Sequence, residues 1–435
     1  MIKFKCSAFE VREFWRRAAQ SRLAANVLSL YGVQGINYLV PLLVLPYLLR
    51  ILTPTGYGAI VFAQSLINYL RIVANFGFNF SATRDVSLAR DNREELAQIF
   101  WTTLTAKMCL LIVSITIVLP FIFLVPILRT HSAIIGVSGL ALFGAVLLPE
   151  WYFQGLEHIR HLAIIQSVSN VVMLVCIFIF VQSASDEVAA AAILALPRLL
   201  GGIVSVVVMS RAWPVPWRRP SVRDVWNALR ASWHLFVSGA ATSLYVNSNV
   251  FLVGLICGDF QVALYSVANR IVIAATGLLS PIVQASFPRA SMSFHPSIDE
   301  GLEFAGRILR YLMVVAIALS AVLVIFARQI VEILSGGRYL EAVPVVRIMG
   351  VLPVAIGTAM VLSQIVMINV GLTRRMSQIY IAVGVFSIAL LVPLAFRFGA
   401  LGAAASLLAV EVFGPILMVR AIARLVWSGR VQKRA

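Results

Sequence analysis

The stretch Trp101–Leu124 reads WTTLTAKMCLLIVSITIVLPFIFL, and Lys107 is its one charged residue. A helix needs about 20 predominantly apolar residues to cross the hydrocarbon core of a bilayer, so this stretch predicts a membrane-spanning helix. Other stretches of the chain have the same length and character. Together they predict about twelve transmembrane helices, at residues 26–50, 57–76, 101–124, 133–154, 162–182, 188–210, 233–257, 262–288, 308–330, 343–369, 376–396 and 400–424.

The composition of the whole chain agrees with a membrane protein. Of the 435 residues, 60% are hydrophobic and 12% are charged, whereas soluble domains carry roughly 25% charged residues. Soluble domains of this total length would need far more charge to cover their surfaces. The sequence therefore predicts an all-α polytopic membrane protein. Its 4 cysteines are far apart and predict neither a metal site nor a disulfide framework.

The excess of basic residues indicates the topology. Lys and Arg number 35, against 18 Asp and Glu, and basic residues collect in the cytoplasmic loops of membrane proteins. When the N-terminus is placed inside, 25 of these cations fall on cytoplasmic segments and 4 fall in external loops. This asymmetry predicts an even number of spans with both termini in the cytoplasm. Because the cations are spread over many short loops, they do not predict a nucleic-acid surface.

Charge and proline content divide the chain into two lobes. Residues 1–25 are predicted to form a basic amphipathic cytoplasmic tail, and residues 26–210 an N-lobe of six spans. Residues 211–232 are basic and proline-rich, which predicts a cytoplasmic linker. Residues 233–424 then form a C-lobe of six spans, and residues 425–435 form a second basic cytoplasmic tail.

A weak internal repeat supports this division. Tyr57–Gln64 aligns with Val262–Asn269 when one half of the chain is shifted onto the other. Lobes of six spans each begin on the same side of the membrane, so the two repeats are parallel. Transporters built from such repeats hold their substrate at the interface between them. The sequence therefore predicts a central cavity between the lobes.

Four cations are predicted to lie at membrane depth, namely Arg71, Lys107, Arg198 and Arg270. An ionisable residue there is costly and usually faces a cavity, so these side chains are candidate ligands of an anionic headgroup such as a phosphate or diphosphate. Arginine suits phosphate because its planar guanidinium makes paired hydrogen bonds. Alternatively, Arg71 and Lys107 could extend to the cytoplasmic surface and Arg270 to the external one. Arg198 could instead bind carbonyl groups freed by Pro197.

Two acidic residues are candidates for proton coupling. Glu150 ends the fourth predicted span, and Glu411 is central in the last one. A carboxyl group buried in the membrane can carry a proton, so either residue could couple transport to a proton gradient. The alternatives are an internal ion pair for Glu411 and an interfacial helix cap for Glu150.

Four amide side chains lie in or beside predicted spans, namely Gln64, Asn68, Asn75 and Asn247. The first three share one helix face, since they are four and seven residues apart. Such a polar stripe would hydrogen-bond sugar hydroxyls in a water-filled cavity, or it would join neighbouring helices. The sequence contains no metalloprotease, nucleophile-elbow or phosphate-loop motif. It therefore predicts no catalytic residue, no metal site and no cofactor.

Four motifs are spread over nearly the whole chain: PYLLRILTPTGYG at Pro46–Gly58, NFGFNFSATRD at Asn75–Asp85, PEWYFQG at Pro149–Gly155, and FGALGAA at Phe398–Ala404, which Glu411 follows. Through these motifs and their order, the chain resembles the Wzx-type O-antigen and polysaccharide flippases. These belong to the multidrug/oligosaccharidyl-lipid/polysaccharide exporter superfamily. Its members differ widely inside the spans, so the roles given above to the intramembrane charges are inferred from the residues and not from the resemblance.

The resemblance implies a function in the bacterial inner membrane. It implies that oligosaccharide repeat units linked to undecaprenyl diphosphate move from the cytoplasmic to the periplasmic leaflet by alternating access of the lobes, driven by an ion gradient. It further suggests membrane lipids, a polysaccharide polymerase and a chain-length protein as partners. A drug/ion antiporter of the same superfamily would need a compact acidic site. A glycan polymerase or acyltransferase would need large external loops or a catalytic His/Asp set, and a non-transporting scaffold would not need cations at depth.

Overall fold

The structure is a computed structural model that describes residues 40–212 and 215–432, and it describes the backbone alone at residues 212, 238, 241–247 and 426–432. The predicted tail at residues 1–25 lies outside the described residues. The first part of the predicted span at residues 26–50 and the last residues of the C-terminal tail lie outside them as well.

All regular secondary structure in the described residues is helical. The helices are α1 Val40–Ile51, α2 Pro54–Asn75, α3 Phe78–Leu88, α4 Arg93–Leu124, α5 Pro126–Thr130, α6 Ser132–Ser138, α7 Leu140–Leu147, α8 Glu150–Gly155, α9 Ile159–Phe180, α10 Glu187–Ala212, α11 Val222–Cys257, α12 Asp259–Gly277, α13 Ser280–Phe294, α14 Ile298–Ile325, α15 Ala327–Ser335, a 3-10 turn at Leu340–Ala342, α16 Val343–Met349, α17 Leu352–Met360, a π-helix at Val361–Met367, and α18 Thr373–Gln432.

Within the described part of the chain, 9 helical segments are long and apolar enough to cross a membrane. They coincide with the second to sixth and the eighth to twelfth predicted spans, because Thr373–Leu425 contains the last two. Shorter apolar helices, α1 and Ser248–Cys257, lie in the two remaining predicted spans. The prediction of an all-α, multi-pass membrane protein is therefore confirmed, while the count of about twelve spans stays a prediction.

Gly399 separates the last two predicted spans inside α18. Its φ of 59° and ψ of −134° belong to a region that is open to glycine. A Cβ atom there would lie 2.6 Å from Oε1 of Gln261, and the same oxygen accepts a hydrogen bond from the amide of Ala400 at 2.8 Å. Glycine is therefore required where the chain changes direction, which gives the motif at Phe398–Ala404 a structural role.

The fourth predicted span, at residues 133–154, is broken into α6, α7 and α8. Pro149 has no amide hydrogen and cannot continue a helix, and α7 ends at Leu147. The chain resumes as α8, whose first residue is Glu150. Ser132–Gly155 remains long and apolar enough to cross a membrane, and the proline places a break inside it next to Glu150.

Helices α7 and α10 pack closely at two glycines. A Cβ atom at Gly144 would lie 2.2 Å from the carbonyl oxygen of Arg198, and one at Gly202 would lie 2.5 Å from the carbonyl oxygen of Gly144. Small residues allow helix backbones to approach in this way inside membranes. The contact positions Arg198 beside the broken span.

Helix α11 begins before the predicted C-lobe. The hydroxyl of Ser221 accepts a hydrogen bond from the amide of Asp224 at 3.1 Å, and the carboxylate of Asp224 accepts one from the amide of Ser221 at 2.9 Å. This reciprocal arrangement is a capping box, which starts a helix. Residues 222–232 of the predicted linker at 211–232 are consequently helical.

The two predicted lobes pack through α2, α11 and α12. A Cβ atom at Gly58 would lie 1.9 Å from the carbonyl oxygen of Asp259, and one at Gly254 would lie 2.2 Å from the ring of Phe62. The Phe62 ring also stacks on Phe251, with centroids 5.5 Å apart. Helix α2 therefore runs along the interface, and its polar residues lie between the lobes.

Candidate functional site

Two adjoining pockets lie along α2. The larger, which we call the Glu150 pocket, has a volume of about 760 Å³, and the smaller, which we call the Ser138 pocket, has a volume of about 370 Å³. Both volumes suit a ligand site, for which roughly 300–1,000 Å³ is usual. Polar residues that line both pockets are Gln64, Arg71, Arg198 and Arg270. The Glu150 pocket adds Tyr57, Asn75, Asn79, Lys107, Glu150, Gln166 and Asn170, and the Ser138 pocket adds Ser65, Asn68, Ser138, Ser266 and Asn269.

The four predicted cations therefore line these two adjoining pockets, with Lys107 in the Glu150 pocket and the three arginines in both. Arg71 lies near the end of α2, and its Nε and Nη2 both donate hydrogen bonds to Oδ1 of Asn68, at 3.1 and 2.6 Å. The two residues are three apart on one helix, which places their side chains side by side. Asn68 thus orients the Arg71 guanidinium and does not offer a free carbonyl oxygen to a ligand.

Lys107 is only 1% exposed, and its Nζ donates a hydrogen bond to the carbonyl oxygen of Ala145 at 2.8 Å. In a continuous helix this carbonyl would accept from the amide four residues later, which is Pro149. Because proline has no amide hydrogen, the break in the fourth span frees an acceptor, and Lys107 occupies it. The ammonium group is therefore held inside the bundle, at the wall of the Glu150 pocket.

Arg198 and Arg270 are exposed to the pockets. Neither guanidinium makes a hydrogen bond or an ion pair with a described residue, so Arg198 does not bind the carbonyl groups near Pro197. The Arg270 guanidinium lies over the ring of Tyr57, 6.0 Å from its centroid. Tyr57 is 1% exposed, and its hydroxyl has no hydrogen-bond partner among the described residues. The donors of both arginines are available to a ligand.

Glu150 is the one carboxylate in the lining of the two pockets, against four cations. Its Oε2 accepts a hydrogen bond from Nδ2 of Asn79 at 3.3 Å, and the helix break described above turns it into the pocket. The pockets therefore carry an excess of positive charge that one acid partly balances.

Some of the remaining predicted site residues line the pockets and others do not. Gln64 lines both pockets and Asn75 lines the Glu150 pocket, whereas Glu411 is half-buried in α18 and lines neither. Asn247 belongs to the residues whose side chains lie outside the described part. The sequence prediction missed Asn79, Ser138, Ser266 and Asn269. A signal was present for Asn269, because the internal repeat aligns it with Gln64.

Two arginines join the two predicted lobes at the Pro54 end of α2, and we call this reciprocal contact the inter-lobe clasp. Arg50 donates a hydrogen bond to the carbonyl oxygen of Ile333, and Arg338 donates one to the carbonyl oxygen of Ile51 at 3.0 Å. The acceptors lie in the last turns of α15 and α1, where carbonyl groups have no intrahelical partner. Each lobe thus supplies the arginine that caps a helix of the other.

Two further contacts lie at the same end. The hydroxyl of Tyr339 donates to the carbonyl oxygen of Thr53 at 3.3 Å. Nε2 of His131, just before α6, lies 2.8 Å from Oδ2 of Asp259, the first residue of α12. Polar contacts between the predicted lobes therefore join them at this end of the molecule, which the predicted topology places on the external side.

Comparison with known proteins identifies similar chains. A family described as "Polysaccharide biosynthesis protein" matches residues 23–294. The chain is 33% identical over 397 residues to the Escherichia coli (strain K12) protein named "Putative O-antigen transporter", covering 91% of this chain and 96% of that protein. It is 31% identical over 405 residues to a Shigella dysenteriae protein of the same name, covering 91% and 99%.

Two solved structures share the fold. The lipid II flippase MurJ, in an inward closed conformation, superposes with a TM-score of 0.75 at 10% identity, covering 91% of this chain and 87% of that chain. An inward-facing multidrug resistance MATE family transporter of the MOP superfamily superposes with a TM-score of 0.65 at 16% identity, covering 90% and 99%. At these identities the likeness shows the helical transporter fold and nothing finer.

Proposed function

The chain belongs to the polysaccharide biosynthesis protein family, and from this premise we propose that it is a flippase for oligosaccharide repeat units linked to undecaprenyl diphosphate, such as those of O-antigen. It moves them from the cytoplasmic to the periplasmic leaflet of the bacterial inner membrane. The names of the two relatives and the flippase fold shared with MurJ support this proposal.

The excess of cations around the pockets carries the proposal. A diphosphate is a compact anion, and guanidinium groups bind phosphate oxygens through paired hydrogen bonds. Arg198 and Arg270 have uncommitted donors, and Arg71 is pre-oriented by Asn68. Lys107 adds a fixed positive charge at the wall. We assign the diphosphate to the region between Arg71 and Arg198, where the two pockets meet.

Glu150 balances part of this charge when no substrate is bound. A proton on its carboxyl group would remove that balance and strengthen the attraction for the diphosphate, which gives a route for coupling to a proton gradient. Glu411 is the other candidate for coupling, although it lies outside both pockets. Transport by Glu150→Gln or Glu411→Gln that no longer responds to the proton gradient would identify the coupling acid.

From the inter-lobe clasp we infer the side of the membrane toward which the pockets are closed in this conformation. With both termini placed in the cytoplasm, as the loop charges predict, the clasp lies on the periplasmic side, and we propose that it closes the pockets toward the periplasm. Alternating access then requires the clasp to open while the lobes close at the other end. The polyprenyl tail stays in the bilayer beside the lobes, because transferring it into a charged cavity would be unfavourable. Released repeat units would pass to a polysaccharide polymerase and its chain-length protein.

A drug/ion antiporter is the second candidate, since the chain shares its fold with a MATE transporter. The lining charge argues against it, because a cationic drug would meet four cations and a single carboxylate. An enzyme that polymerises glycans or transfers acyl groups would need a catalytic group, and we assign no such role to a described residue. The protein is accordingly proposed to act as a transporter.

The cationic site can be tested in a deletion strain that lacks its own flippase. Arg198→Ala and Arg270→Ala are expected to abolish surface glycan and to accumulate the lipid-linked repeat unit, while the Lys replacements keep part of the activity. Arg397→Ala is a matched control, because Arg397 also lies over an aromatic ring, 5.5 Å from the centroid of Phe398, but lines neither pocket. Normal surface glycan with Arg198→Ala, at wild-type protein levels, would reject the cationic site.

A further inference from the structure

We propose that the Ser138 pocket is a subsite for sugar rings, and that Ser138, Ser266, Gln64 and Asn269 recognise their hydroxyl groups. This inference rests on the proposed function. It adds a division of the cavity, in which the shared arginines hold the diphosphate and the Ser138 pocket holds the sugar attached to it.

Two buried hydroxyl groups carry the inference. Ser138 is 2% exposed and Ser266 is 3% exposed, and their Oγ atoms have no hydrogen-bond partner among the described residues. A serine inside a helix usually donates to the carbonyl four residues earlier, as Ser169 does to Ile165 at 2.8 Å. A buried polar group without a partner is rare, because its desolvation is uncompensated. Both serines line the Ser138 pocket, so rotation of each hydroxyl toward the pocket would let a ligand hydroxyl supply the missing partner.

Two amides complete the set. Gln64 lies on α2 and Asn269 on α12, at positions that the internal repeat aligns, and both line the Ser138 pocket. Neither side chain makes a hydrogen bond with a described residue. The four groups therefore come from three helices of both lobes and share one property, an unused capacity to donate and accept hydrogen bonds.

This property matches sugar hydroxyls. A hydroxyl donates one hydrogen bond and accepts others, and so do serine hydroxyls and carboxamides. The lining of the Ser138 pocket contains no acidic side chain, and its volume is about 370 Å³. Because Arg71, Arg198 and Arg270 line both pockets, a diphosphate held by them would direct its first sugar into the Ser138 pocket.

A buried serine without a partner is not a site by itself. Ser387 and Ser406 are each 1% exposed, and their hydroxyls also lack a partner among the described residues, yet they line neither pocket. What distinguishes Ser138 and Ser266 is that they meet in one pocket with two uncommitted amides. Ser387 and Ser406 are therefore matched controls.

The test compares two lipids on the purified full-length protein in nanodiscs, by native mass spectrometry. One probe is the lipid-linked repeat unit extracted from the deletion strain, and the other is bare undecaprenyl diphosphate. The wild-type protein is expected to prefer the sugar-bearing lipid. Ser138→Ala combined with Ser266→Ala should lower that preference roughly four- to one-hundredfold, at about two- to tenfold for each lost hydrogen bond. Affinity for the bare lipid should not change.

The pair Gln64→Ala and Asn269→Ala should lower the preference in the same way, whereas Ser387→Ala with Ser406→Ala should keep it. A wild-type preference in the Ser138/Ser266 variant, or an equal loss of affinity for both lipids, would overturn the sugar subsite while leaving the flippase proposal standing. If the wild-type protein binds bare undecaprenyl diphosphate as tightly as the sugar-bearing lipid, the subsite is also wrong. If it binds neither lipid, the proposed function itself fails.

Discussion

Removal of both clasp arginines should open the pockets toward the periplasmic side. Arg50→Ala with Arg338→Ala deletes the hydrogen bonds to Ile333 and Ile51 that hold α1 against α15. Both arginines are exposed, so each bond contributes less than a buried charged one, about 0.5–1.5 kcal/mol. Two bonds amount to about 1–3 kcal/mol. Since 1.4 kcal/mol is a factor of ten, the open population should rise roughly five- to 150-fold.

The accessibility of an introduced cysteine measures this population. Ile273 lines the Ser138 pocket and is 59% exposed, so Ile273→Cys reports on access when the native cysteines have been replaced. Labelling of intact cells with a membrane-impermeant maleimide should accelerate roughly five- to 150-fold, in proportion to the open population. Arg50→Lys with Arg338→Lys should show a smaller effect, because a lysine can still donate to a carbonyl group.

Arg328→Ala is the matched control for the clasp. Arg328 is exposed on α15, the helix that carries the clasp acceptor Ile333, and it makes no hydrogen bond with a described residue. Equal labelling rates in the clasp variant and the Arg328 variant would refute the role of the clasp. Slower labelling than in the wild-type protein would reverse the assigned direction, and with it the predicted topology.

Two further substitutions test how the site is positioned. Gly144→Val should lower the melting temperature in detergent and the yield of folded protein. Its Cβ would lie 2.2 Å from the carbonyl oxygen of Arg198, and overpacking costs about 1–3 kcal/mol or more. Gly201→Ala is the control and should fold normally, because the atom nearest to its Cβ would be 3.9 Å away. Asn68→Ala should weaken binding of undecaprenyl diphosphate about two- to tenfold, because it releases the Arg71 guanidinium. Asn68→Asp should weaken binding further, because its carboxylate pairs with that arginine, and tighter binding by Asn68→Asp would contradict the assignment.

Lys107 shows how far the sequence leads toward the site. A single charge in a long apolar stretch predicted a cation at membrane depth, and it allowed two locations for the ammonium group, a cavity and the cytoplasmic surface. The structure shows the ammonium group on the carbonyl oxygen of Ala145. That acceptor exists because Pro149 interrupts the helix, so both ends of the contact were visible in the sequence. The contact between Lys107 and Ala145 depends on how α4 packs against α7.

Ser138 and Ser266 were not predictable in the same way. Serine is common in membrane helices and usually bonds to its own helix, so its presence carries no signal. The significance of these two residues comes from hydroxyls without partners at the wall of one pocket. The clasp arginines are a similar case, because their acceptors are main-chain carbonyl groups that any residue carries.

The amino-acid sequence by itself determined that this chain is a multi-pass membrane protein, approximately where its helices lie, and which cations are candidate site residues. It could do so because transfer between water and lipid acts on local composition, which a stretch of about 20 residues reveals. Only the tertiary structure decided which helix faces meet, and so which residues line the pockets. The reason is that lipid-facing and packed surfaces are both apolar in a bilayer, so no contrast along the chain distinguishes the face that meets lipid from the face that meets another helix.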